Sequence, residues 1–106
     1  MEKSIVIKLE FEGIHAWPEC NIPEVGFLKF PHRHIFHVTA KKVVTHNDRQ
    51  IEIINLKRGM EAFVKRNGLD LGSASCEDIA ESFIGHFQLS YCQVLEDNEN
   101  GAEIFA

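Results

Sequence analysis

At 106 residues and 44% hydrophobic composition, the chain is long enough for one modest core, which sets the expectation of a single domain over residues 1–106. A formal charge of −5 argues against general affinity for nucleic-acid phosphate, no stretch is apolar enough to span a bilayer, and the N-terminus carries no basic region followed by an apolar signal core. The expectation is a cytoplasmic protein without nucleic-acid or membrane partners, and three cysteines lacking any CxxC (Cys20, Cys76, Cys92) suggest neither a disulfide framework nor a cysteine zinc site.

In chain order, Ile5, Ile7, Leu9, Phe11, Gly13 and His15 alternate with Lys8, Glu10 and Glu12, the period of a half-buried strand. Residues Ala16 to Pro31 hold three prolines and Gly26, which predicts a long loop without a regular element. A second strand is expected from about His32 to His46, ending in the polar turn Asn47-Asp48-Arg49, and the short apolar run Ile51 to Ile54 leads into a helix. In that helix Leu56, Met60, Phe63 and Val64 form the apolar stripe, Asn55 is the expected cap and Asn67-Gly68 the expected end, while Lys57, Arg58, Lys65 and Arg66 read as a solvated face. Ser75-Cys76-Glu77-Asp78 has nearly the form of a capping box and opens a second helix whose stripe is Ile79, Ala80, Phe83, Ile84 and Phe87. Two last strands are expected at about Tyr91 to Glu96 and Ala102 to Phe105, with Asn100-Gly101 as the turn between them. The order is ββααββ, an α+β domain.

The chemistry gathers at one strand end. In His32-Arg33-His34 both imidazoles point to the same face, because side chains alternate along a strand. His15 ends the apolar face of the preceding strand. If the two strands pair antiparallel, the three imidazoles meet at one rim of the sheet. Three neutral imidazoles with a fourth position left for water or substrate are the ligand set of a catalytic zinc rather than a structural one. His37, on the opposite face, His46 at a polar strand end and His86 near a helix end read as structural or surface groups. Glu77 lies where a helix N-terminus favours a carboxylate, and Glu96 shares an otherwise apolar strand face with Cys92 and Val94.

These residues together resemble the 6-pyruvoyl-tetrahydropterin synthase family and its bacterial relatives, the 6-carboxytetrahydropterin synthases. Phe11-Glu-Gly-Ile-His15 resembles the family's Phe-x-x-x-His, and His32-Arg33-His34 its His-Gly-His. Ile51 to Lys57 resembles the Asp-Phe-x-x-Leu-Lys segment entering the first helix, Ser75-Cys76-Glu77 opens a stretch similar to Thr-x-Glu-x-Leu-Ala, and Val94-Leu95-Glu96 resembles the Val-x-Glu whose carboxylate anchors the pterin ring. The resemblance implies the tunnelling fold: a four-stranded antiparallel sheet with two helices on one face, closed into a barrel by oligomerisation, commonly a hexamer, with active sites between subunits. It also implies zinc on His15, His32 and His34, a pterin-like ligand held by Glu96 with Glu77 and Ser75, and proton transfer by a cysteine thiolate with an Asp–His pair.

The chain departs from that pattern in its proton relay. Leu28 stands where the bacterial cysteine falls, and only Cys20, in a Cys20-Asn-Ile-Pro23 run similar to the pyruvoyl branch, is left to act as the acid–base thiol. Leu69-Asp70-Leu71 keeps the aspartate and lacks the relay histidine. The first expectation is therefore a zinc-dependent enzyme acting on a reduced pterin such as dihydroneopterin triphosphate, with Cys20 and Asp70 as its catalytic groups. The second is a catalytically silent protein that keeps the metal-lined pocket to bind a pterin, purine or nucleotide. The third is an oligomer whose histidines serve structure alone.

Overall fold

The alternation in the first half of the chain becomes a long hairpin. The computed structural model describes residues Met1 to Ala106, with strands β1 (Lys3–His15) and β2 (His32–Val44) paired antiparallel from Lys3 opposite Val44 to His15 opposite His32. Thirteen residues at roughly 3.4 Å each account for much of the molecule's 51 Å length. Helices α1 (Ile53–Asn67) and α2 (Cys76–Phe87) follow, then strands β3 (Tyr91–Glu96) and β4 (Asn100–Phe105), and the sheet is antiparallel in the order β1-β2-β3-β4. This is the expected ββααββ order. No helix is long and apolar enough to cross a membrane.

Both helices pack on one face of the sheet, because the two stripes and the inward strand positions exclude water only together. Ile7, Leu9, Phe36, Val38, Ala40, Cys92 and Val94 from the sheet meet Met60 of α1 and Ile79, Ala80 and Phe83 of α2 in a single core. Phe36 and Phe83 are fully enclosed there, each burial stabilising the fold by about 1.5–3 kcal/mol. The opposite sheet face carries Lys8, Glu10, Glu12, Arg33 and His37, and there Arg33 bonds Glu12 at 2.8 Å while His37 lies 3.3 Å from Glu10. β1 and β4 are the sheet's edges.

Four local expectations change. The loop after β1 contains a short 3-10 helix, Pro23–Lys29, kinked at Val25; Pro23 starts it because its fixed φ suits a first helical position that needs no N–H donor. β2 ends at Val44 rather than His46, since β1 offers no partner beyond Lys3, and the Thr45 and His46 amides donate instead to the Gln50 side chain. Helix α1 is capped by Glu52 and not by Asn55: the Glu52 carboxylate accepts from the amides of Ile54 at 2.7 Å and Asn55 at 3.2 Å, where its charge also favours the helix N-terminus. The β3–β4 turn lies at Asp97-Asn98, both with positive φ, closed by the Glu99 amide to the Glu96 carbonyl at 3.0 Å. Asn100 and Gly101 belong to β4, and glycine is needed at 101 because a Cβ there would collide with the Val94 carbonyl oxygen. Elsewhere the readings hold: α1 ends at Asn67 before Gly68, and Ser75 and Asp78 form a complete capping box on α2.

Candidate metal centre

The register of the hairpin sets His15 opposite His32, with His34 two residues further along the same face. One ring nitrogen from each of the three lies within 4.8 Å of the others, and the ring centroids are 4.5 to 5.3 Å apart. The convergence expected if these two strands pair antiparallel is present.

Each imidazole is fixed by a different neighbour. The segment Leu69–Gly72 between the helices lies along the open edge of β1, with the Ile14 amide donating to the Leu69 carbonyl and the Leu71 amide to the Ile14 carbonyl, both at 2.8 Å. Gly13 permits this approach: a Cβ at that position would come within 2.6 Å of the Leu71 side chain and 2.9 Å of the Phe36 ring. The chain then carries the Ala74 carbonyl to His15, whose Nδ1–H donates to it at 2.7 Å. His32 donates from Nδ1 to the Phe30 carbonyl at 2.8 Å, and His34 from Nδ1 to the Asp97 carboxylate at 2.7 Å. Asp97 is itself clamped to β2, accepting the Ile35 amide at 2.9 Å and donating its own amide to the Ile35 carbonyl at 2.8 Å. The His34 bond, and then the Ile35 amide, hold the Asp97 carboxyl below its ordinary range, so it is an anion and an acceptor.

All three Nδ1 atoms therefore carry hydrogens committed to oxygen acceptors, and the lone pair of each ring resides on Nε2. The Nε2 atoms of His15 and His34 are buried with no hydrogen-bond partner. Buried unsatisfied nitrogens are costly. Outer hydrogen bonds on one nitrogen and a free lone pair on the other are the arrangement of metal-ligating histidines, so the donor set fits zinc.

The centre opens on a cleft of about 540 Å³, within the usual size of small-molecule sites. His15, His32 and Glu96 line it from the sheet, Trp17 and Leu28 from the loop, and Ser75, Cys76, Glu77 and Asp78 from the start of α2. Glu96, paired with Phe36 in the ladder, sets its carboxylate 3.1 Å from His15 Nε2 and 3.7 Å from His34 Nε2. Ser75 lines the cleft but spends its hydroxyl on the Asp78 amide, whereas Glu77 is exposed.

No protein-family model matches this chain, and no curated protein matches it. Its site is read from geometry.

Two expected residues lie outside the cleft. Cys20 is almost wholly buried within its own loop, its thiol directed to the carbonyls of Ile22 and Val25 at 3.9 and 3.7 Å. Asp70 is exposed, accepts the Gly72 amide at 2.9 Å, and borders a separate cavity of about 300 Å³ that His15 also touches. The cysteine that does line the cleft is Cys76, where burial, then the Glu96 and Glu77 charges, push the thiol up to about 12 and keep it protonated. Sequence reasoning gave no role to Asp97, Ala74 or Cys76. Asp97-Asn98 was open to recognition as a left-handed turn pair; an acceptor that is a backbone carbonyl leaves no trace in residue type.

Proposed function

We propose that the protein is a zinc-dependent enzyme of the 6-pyruvoyl/6-carboxytetrahydropterin synthase type, acting on a reduced pterin in the cleft beside His15, His32 and His34. The observation that carries this reading is the set of three imidazoles tied outward through Nδ1, with two buried Nε2 atoms unpartnered. Zinc held there would polarise a carbonyl or hydroxyl of the bound substrate. The chain's own residues do the rest: the sheet rim orients the histidines, Trp17 and Leu28 give the cleft an apolar wall against one face of a ring, and the carboxylates of Glu77 and Glu96 suit the N–H donors of a pterin edge.

A second reading follows from the positions of Cys20 and Asp70. Neither lines the cleft, and positioned acid–base groups typically supply ~10²–10⁴-fold in rate, so the same pocket without them is a binding site for a pterin, purine or nucleotide with little turnover.

Zinc analysis of the purified chain tests the common ground. About one zinc per chain is expected from a three-histidine site, and none in His32→Ala/His34→Ala. A double variant that keeps its zinc would refute the site. Turnover of dihydroneopterin triphosphate that collapses in Cys20→Ala supports the enzyme, because the loop would then have to deliver the thiol. Pterin binding without turnover, indifferent to Cys20→Ala, supports the second reading.

A further inference from the structure

The position of Glu96 poses an electrostatic problem that the three histidines alone do not solve. Its Oε2 lies 3.1 Å from His15 Nε2 and its Oε1 3.7 Å from His34 Nε2. Neither contact is a hydrogen bond, and both nitrogens are left without a partner. With their Nδ1 hydrogens given to Ala74 and Asp97, the two Nε2 atoms present lone pairs, and a carboxylate presents only lone pairs. Acceptor facing acceptor at such distances is repulsive unless a cation lies between. One divalent ion satisfies both nitrogens and the carboxylate together.

We propose that Glu96 is the fourth ligand of the metal, making the resting centre a closed set of three imidazoles and one carboxylate. This rests on the zinc reading above and changes what the cleft does. In a tetrahedral zinc site, bonds of about 2.0–2.1 Å put neighbouring donor atoms about 3.4 Å apart. Glu96 Oε2, 3.1 Å from His15 Nε2, and Oε1, 3.7 Å from His34 Nε2, each lie near that spacing from one histidine nitrogen. The backbone holds the carboxylate there for a clear reason: Glu96 is the last residue of β3, opposite Phe36, and the next residue is clamped to Ile35 through both its amide and its side chain. Glu96 is thereby a metal ligand before it is a ring anchor, and an incoming oxygen or nitrogen donor reaches the metal by displacing it. The ligand class is one with a donor strong enough to exchange with a carboxylate, and the displaced carboxylate is then free to accept from that ligand's N–H groups.

Cobalt(II) and zinc titrations of the full-length chain, wild type against Glu96→Gln and Glu96→Ala, test this. Outer-sphere partners typically cost 10–100-fold in metal affinity, so a direct ligand should cost ~100-fold or more in both variants. The visible cobalt spectrum should also shift as water replaces the carboxylate. The glutamine variant keeps the side-chain volume, and circular dichroism matching the wild type separates ligand loss from misfolding. Wild-type zinc affinity and an unchanged cobalt spectrum in Glu96→Gln would overturn the proposal while leaving the three-histidine site standing. A wild-type chain that takes up no metal would overturn both.

Discussion

One face of one sheet ends in two different ways. Along its middle, Phe36, Val38 and Val94 point inward and α1 and α2 cover them, so every group is satisfied by contact with its own kind. Two residues before Phe36, on the same face of the same strand, His34 points inward too but lies outside that core. There the outer nitrogens of three histidines are anchored, and the inner ones of His15 and His34 face a carboxylate. Apolar packing settles the middle of that face, and polar anchoring settles its rim. The core satisfies its side chains by contact, whereas the rim keeps two buried ring nitrogens without a hydrogen-bond partner.

Phe83 is 2% exposed and touches the rings of Phe11, Phe63 and Phe87, so Phe83→Ala should cost about 3–5 kcal/mol of stability. Chemical unfolding measures the loss, and zinc stoichiometry under folding conditions should stay at that of the wild type. If the variant loses metal while still folded, core and rim are not separate.

A smaller effect is expected from Asp97→Ala, which removes the acceptor of the His34 Nδ1 hydrogen and of the Ile35 amide while leaving the three imidazoles in place. Zinc affinity should fall ~10–100-fold, and because Asp97 sits at positive φ and also holds the Ile35 amide, the metal-free chain should lose some stability as well. An unaltered affinity would mean that the anchor of His34 does not matter to ligation.

The smallest effect concerns α2, which borders the cleft. Asp78 in the capping box has its pKa lowered by the backbone and hydroxyl of Ser75, so the folded state favours its ionised form. A depressed carboxylate stabilises above the unfolded value and loses that contribution as pH falls through the folded value. Asp78→Asn should therefore lower the urea midpoint slightly at pH 7, and the difference from wild type should close on the acid side. A gap that stays constant down to the acid limit would show that charge is not what the cap uses.

Much of this was legible in advance where the signal is periodic. Alternation in Ile5 to His15 and His32 to Ala40 determined which side chains share a face, and an antiparallel hairpin then had to bring His15 to His32 and His34. The capping box at Ser75 and Asp78 is equally local, since both partners lie within one helical turn. Signals of turn type were weaker: Asn100-Gly101 reads as a hairpin turn, yet Asp97-Asn98 takes the left-handed positions because only that register pairs Glu96 with Asn100 and puts Glu96 beside Phe36. The helix start at Glu52 was missed for a similar reason, a long carboxylate folding back where a shorter side chain was expected.

By itself, the sequence determined the element order, the shared face of the three histidines and the apolar stripes that build the core, because each depends on a short repeat of residue types. Tertiary structure alone decided which groups surround those histidines. Ala74 reaches His15 only because Leu69–Gly72 lies along the edge of β1, and Glu96 faces two Nε2 atoms only through the pairing of β3 with β2. Cys20 was expected from its Cys20-Asn-Ile-Pro23 run and from Leu28 standing in place of a thiol, yet its loop folds the thiol inward, while Cys76, 61 positions beyond His15 in the chain, lines the cleft with it. Long-range contacts of this kind depend on how elements dock, and no local pattern of residue types encodes them.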